Sequence, residues 1–164
     1  MTNTPSLRQL FEIGCKNAAR LFRDEGSVMP IWHAVPGDAK ANHLLIATPW
    51  GDDDEKEIAL DVVRDMFKEH QVQRFVCVVE AWVVKGADPK ALFAERPSQH
   101  PDRREVIRIQ AEDRDGSVLS GMYYILRPEH GPATLSELHE DPPDMVLAGR
   151  MMGLLDPASP ATRH

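Results

Sequence analysis

The chain has 164 residues, a net charge of −7 and 42% apolar residues, proportions that fit one ordinary globular domain with a proper core. The acidic balance argues against nucleic acid as a partner, because phosphate binding needs concentrated lysine and arginine, and the only basic cluster, Arg103-Arg104 with Arg96 nearby, is surrounded by acids. No apolar run approaches the roughly 20 residues that span a bilayer, and Met1–Ser6 has neither the basic start nor the apolar centre of a signal peptide.

Pro5, with Ser6 and Gln9 at capping-box spacing, marks a helix start. Leu7, Leu10, Phe11, Gly14, Ala18, Leu21 and Phe22 then recur at helical intervals, and Gly26 supplies the stop. Residues 29–35 read as a strand, Pro36-Gly37-Asp38 as a turn and residues 42–48 as the returning strand of a hairpin. Asp52 with Glu55 opens a second helix, whose predicted apolar stripe is Ile58, Ala59, Val62, Val63, Met66 and Phe67. Arg74–Lys85 is a long β-branched run, apolar at both parities except for Glu80, so both faces of this strand are expected to be covered. Residues 86–103 form a loop containing Pro89, Pro97 and Pro101, with a single helical turn at 91–94. Residues 105–111 alternate as a strand, Asp113–Gly116 is a hairpin turn, and residues 118–126 return. Residues 128–143 read as mostly irregular with one turn at 135–139, residues 144–155 as a short apolar helix, and the tail from Pro157 as disordered.

The expected fold is α+β: a five-stranded, mostly antiparallel sheet with element order α-β-β-α-β-β-β-α and helices packed mainly on one face. The domain is expected to span residues 1–156, with 157–164 as a disordered tail. The order of elements resembles the roadblock/longin and profilin-like architectures, which implies nothing about activity. Cys15 and Cys77 fall on apolar faces and read as reduced core thiols of a cytoplasmic protein, with a disulfide as the weaker reading.

A carboxylate inside an apolar strand must be paired, hydrogen-bonded or protonated, which makes Glu80 the first candidate for chemistry. Arg108 points away from the aliphatic parity of its strand and is the expected cross-strand partner of Glu80. The pair reads either as a ligand anchor with a tuned base or as a structural ion pair. The loop Glu95–Arg104 holds Ser98, His100 and Asp102 among three arginines. Triad members usually converge from separate segments, so a solvated loop competes with a nucleophilic or anion-binding reading there. The candidate ligand-binding residues are therefore Glu80, Trp82, His100, Arg103 and Arg108, with no catalytic residue assigned.

His33 and His43 sit on the first hairpin, where pairing brings them near each other and His100 is a possible third ligand. No His-x-x-x-His or Cys-x-x-Cys spacing supports a metal centre. Asp52–Glu55 lacks the alternation and central glycine of a calcium loop and suits helix capping instead. No glycine pattern cradles a phosphate, so no cofactor is expected. The three tryptophans, Trp32, Trp50 and Trp82, read as core or interface residues, and Gly149–Leu155 reads as an adaptable contact surface or as a helix packed on its own sheet.

Thr48-Pro-Trp50, Glu80-Ala-Trp82 and Arg96–Val106 resemble segments of conserved hypothetical proteins of bacteria and their phages, over most of residues 30–127. The resemblance carries no activity and no catalytic residue; it implies a bacterial, cytoplasmic setting. Taken together, the expectation is a non-enzymatic protein-binding or self-associating module, a homodimer or the partner of another protein. The alternative is a small-molecule-binding or hydrolytic site around Glu80, Arg108 and the 96–104 loop.

Overall fold

The computed structural model describes residues 4–84, 101–142 and 154–155. Helix α1 spans Leu7–Glu25, strand β1 Ile31–Val35, β2 Leu44–Ala47, helix α2 Asp53–Glu69, β3 Arg74–Val83, β4 Arg104–Asp113 and β5 Val118–Leu126. Two further pairings of two residues each, β6 (Thr134–Leu135) and β7 (His139–Glu140), lie in the Pro-rich stretch expected to be irregular. The open sheet runs β2-β1-β3-β4-β5-β6 with β7 also on β5, so it has seven strands rather than five. Every pairing is antiparallel. Two-residue pairings carry too little alternation to be read from a sequence, which is why the count rises.

Local chemistry sets the helix ends. The Ser6 hydroxyl accepts from Gln9 N–H at 3.1 Å and the Gln9 side chain accepts from Ser6 N–H at 2.9 Å. Gly26 closes α1 at φ +78°, a conformation that side chains with a Cβ resist. Asp52 caps α2 by accepting from Glu55 N–H at 2.8 Å, and Asp53, Asp54 and Glu55 complement the positive end of its dipole. At the β4–β5 turn Gly116 adopts φ +94°, where Asp113 N–H reaches Ser117 O at 2.9 Å.

The two helices cover opposite faces of the sheet, not one. Val76 and Val78, the even parity of β3, pack with Ile107 and Ile109 of β4 under Leu10, Phe11 and Ala18 of α1. The odd parity, Phe75 and Cys77, packs with Trp32 of β1 under Leu60, Val63 and Phe67 of α2. The strand buried on both sides therefore needs two covers. The covers are offset: α1 contacts β3, β4 and β5, whereas the α2 core gathers around β1, β2 and β3. The predicted α2 stripe is rotated as well. Leu60, Val63 and Phe67 are buried, while Ile58 and Val62, one turn apart on the opposite side, are 65% and 49% exposed.

Gly14 sets how closely α1 approaches the sheet. A Cβ built there would stand 2.6 Å from Cγ2 of Val76 and 3.3 Å from Cγ2 of Ile109. Arg74 fastens the other end of α1 by donating to Pro5 O at 2.7 Å while its Nε meets Asp113 at 2.6 Å. The predicted turn at 91–94, the loop residues 86–100, the helix over 144–153 and the tail lie outside the described residues. Leu154 and Leu155 are buried in the α2 cluster.

Candidate functional site

Glu80 lies beyond the doubly covered part of its strand. The sealed portion of β3 is Phe75–Val78, and from Val79 onward the strand opens, leaving Glu80 exposed. Its Oε1 accepts the backbone N–H of Val28 at 3.0 Å, tying the connection after α1 to β3. Glu80 stands opposite Ile107 in the ladder and Arg108 stands opposite Val79, so the two side chains leave opposite faces. The expected Glu80–Arg108 pair does not form. A slip of one position in register is enough to separate two residues this way.

Arg108 pairs instead with Asp141, at 3.1 Å, and Ser120 Oγ donates to the same carboxylate oxygen at 2.6 Å. Both charged side chains are largely buried, 19% and 10% exposed. Asp141 arrives just after β7, whose backbone continues on β5 through Asp141 N–H to Ser120 O at 2.9 Å. This is a closed structural network, with each charge satisfied.

The other candidates meet near the open ends of β3, β4 and β5. The Arg103 guanidinium lies over the Trp82 ring at 5.0 Å, and Arg104 lies over Tyr124 at 5.2 Å. Arg127 clamps Glu105 with two hydrogen bonds, and Glu80 contributes a further attraction to Arg127. The Glu105 contacts hold the Arg127 guanidinium above its ordinary pKa, so its charge is permanent. Trp82, Arg103, Arg104, Glu105, Tyr124 and Arg127 line an open groove of about 660 Å³. Thus Trp82 and Arg103 come together, Glu80 lies on their side of the sheet, Arg108 lies on the other, and His100 is outside the described residues, as is Ser98. Arg104, Glu105, Tyr124 and Arg127 were not candidates from sequence. The Asp113–Gly116 turn fixes the β4–β5 register, and counting outward from it brings Glu105 opposite Ile125 and next to Arg127.

The first hairpin holds a second juxtaposition. His33 Nε2 and His43 Nδ1 are 2.8 Å apart, with ring centroids at 5.0 Å and planes inclined by 44°. Burial lowers the His33 pKa from its ordinary value, and the charge of His43 lowers it further. Both imidazoles project on the α1 face of β1 and β2, beyond the strands that α1 covers. His33, Ile31, Leu45 and Ala47 form this shoulder, and Leu45 is 74% exposed.

Comparison with family models, curated proteins and solved structures returns no match. The geometry alone therefore carries the functional argument. The thiols contribute no nucleophile: Cys15 and Cys77 are free, buried in different cores on opposite sides of the sheet. Burial pushes the Cys15 pKa up to about 12 and raises that of Cys77 well above its ordinary value. Ser136, in the groove, is committed to the backbone, accepting from Tyr124 N–H and donating to Glu137 O. Among the described residues no group of three or more His, Cys, Asp or Glu is placed to hold a metal, and no helix is long and apolar enough to cross a membrane.

Proposed function

We propose that this chain is a non-enzymatic, cytoplasmic association module that pairs with a second copy of itself through the β1–β2 hairpin. The observation that carries the reading is Leu45, 74% exposed on a strand that has no neighbour on its outer side among the described residues. Thr48 N–H bonds to Pro30 O at 2.9 Å, so Ile46 and Leu44 bond inward in turn and the backbone groups of Leu45 and Ala47 point outward. An edge of this kind is a ready template for antiparallel pairing. A two-fold axis through β2 joins two such edges without any other complementary surface. Buried free thiols support a reducing compartment.

Sedimentation velocity from about 1 to 200 µM tests the reading, a range that covers the affinities of modest interfaces. Leu45→Glu is the matching variant. It removes apolar burial worth about 1.5 kcal/mol or more from each copy, so dimerisation weakens roughly a hundredfold. Because Leu45 is exposed in the single chain, Tm of the dilute protein stays within a degree or two. A wild-type chain that remains monomeric throughout refutes the proposal.

A second reading rests on the groove. On the Trp82 face, Arg103 over the indole with Arg127 nearby beside Glu105, on a chain of net charge −7, suits a small anion carrying a planar group. The arrangement favours binding over hydrolysis. Amide shifts at and around Trp82 on titration with benzoate or phenyl phosphate, lost in Arg103→Ala, support it; unchanged spectra refute it.

A further inference from the structure

We propose that His33 and His43 form a bidentate imidazole site for a tetragonal divalent cation of the copper(II) or nickel(II) class. The inference goes beyond association and does not depend on it, because both donors belong to one chain.

The geometry selects the class of metal. His33 Nε2 and His43 Nδ1 share a hydrogen bond of 2.8 Å, in which one imidazole donates its N–H to the lone pair of the other. Metal–imidazole bonds are about 2.0–2.1 Å long, so a cation equidistant from both nitrogens subtends an N–M–N angle of about 86° across that gap. Square-planar and octahedral ions want about 90°, whereas a tetrahedral ion wants the nitrogens about 3.3 Å apart. To receive an ion each ring tilts by roughly 45°, turning its lone pair off the line between the nitrogens, and the bridging N–H moves to the far nitrogen by a tautomer change; a tetragonal ion then keeps the present separation, whereas zinc also requires the nitrogens to move apart by about half an ångström.

The surroundings set how firmly the ion is held. In the ladder His33 faces Val76 of β3 and Leu45 of β2, and Arg74, two positions along β3 on the same face, is held by Asp113 and the Pro5 carbonyl. The third and fourth positions go to water, since no third His, Cys, Asp or Glu ligand is at hand among the described residues. His33 Nδ1 is buried without a hydrogen-bond partner, so the site lacks the outer-shell acceptor that locks tight metal centres. The site is therefore an exchangeable one, loaded and emptied with the local supply of metal. The hairpin holds the two rings together before the ion arrives, which is what distinguishes it from scattered surface histidines.

The test uses the full-length, tag-free chain, isotope-labelled, at about pH 7.5, where neutral imidazole predominates. Copper(II) sulfate is added below one equivalent while the imidazole carbon–proton signals are followed. The chain has seven histidines, so five outside the pair serve as internal references. The expected result is paramagnetic loss of the His33 and His43 signals first, and at least tenfold weaker copper uptake in His33→Gln and in His43→Gln. His43 is exposed, so His43→Gln keeps the fold even if His33→Gln disturbs it, and the amide spectrum verifies this. Signals of the other histidines disappearing at equal or lower copper, or unchanged uptake in His43→Gln, overturns the proposal.

Discussion

Replacing Gly14 by alanine sets two known effects against each other. In a helix interior the change gains about 1 kcal/mol of propensity. Here the new methyl would stand 2.6 Å from Cγ2 and 3.3 Å from Cγ1 of Val76. Val76 is β-branched, stiff at χ1 and 2% exposed, so it has no free rotamer to retreat into. Relief comes only by lifting α1 off the sheet, and overpacking of this kind costs about 1–3 kcal/mol. The net expectation is a loss of about 1 kcal/mol where an unconstrained helix would gain as much. Val76→Ala alone opens a gap and costs about 2 kcal/mol. In the double variant the added methyl occupies part of that gap, so the two costs fall short of their sum by about 1 kcal/mol. Urea unfolding reads all three, with the midpoint shifting at constant m-value. A stabilising Gly14→Ala, strictly additive with Val76→Ala, refutes the close seating of α1 on β3.

Asp113→Ala leaves Arg74 charged and 20% exposed, and also strips Gln73 and Asp115 of an acceptor; a loss of about 3–5 kcal/mol in chemical unfolding is expected, and a loss below 1 kcal/mol contradicts the network. Glu80→Gln keeps an acceptor for Val28 N–H and is expected within about 0.5 kcal/mol of wild type, whereas Glu80→Ala costs about 1 kcal/mol; a loss of about 3 kcal/mol in Glu80→Gln reinstates a buried ion pair. The pH dependence follows from His33, whose folded pKa is depressed. The unfolded chain takes up the proton first, so stability falls as pH drops through about 6.5 and levels off below the folded value. His33→Gln removes that part of the fall, and an identical slope in the variant refutes the assignment. The Arg8 contact holds Glu140 below the usual carboxylate range, and its exposed contribution fades only below about pH 4.5.

The order of the main elements was legible because each is announced by short-range chemistry. Ser6 with Gln9, Asp52 with Glu55, and Asp113–Gly116 mark starts and turns through backbone bonds that involve only neighbours. Periodicity also showed that β3 is apolar on both sides. It did not show which helix covers which side, since a doubly apolar strand fits one cover or two. The same ambiguity placed Glu80 in the interior: composition describes the strand, but burial ends where α1 and α2 end. Nothing in the sequence marks Asp141 as the partner of Arg108, because it arrives through β7, a two-residue pairing with no pattern of its own. The histidine pair was within reach, as the first hairpin already brought His33 toward His43. What was missing was the offset of α1, which packs on β3, β4 and β5 and not on that hairpin.

The placement of α1 also sets a constraint on birth order. Helix α1, residues 7–25, is translated before its seat, which is built from β3, β4 and β5 and ends at residue 126. Through roughly a hundred residues of synthesis its greasy stripe has no permanent home. Ribosome-bound intermediates halted before β4 are therefore the species most exposed to capture by holdase chaperones or to clumping, and moving the helix to the other terminus by circular permutation would abolish that vulnerable interval.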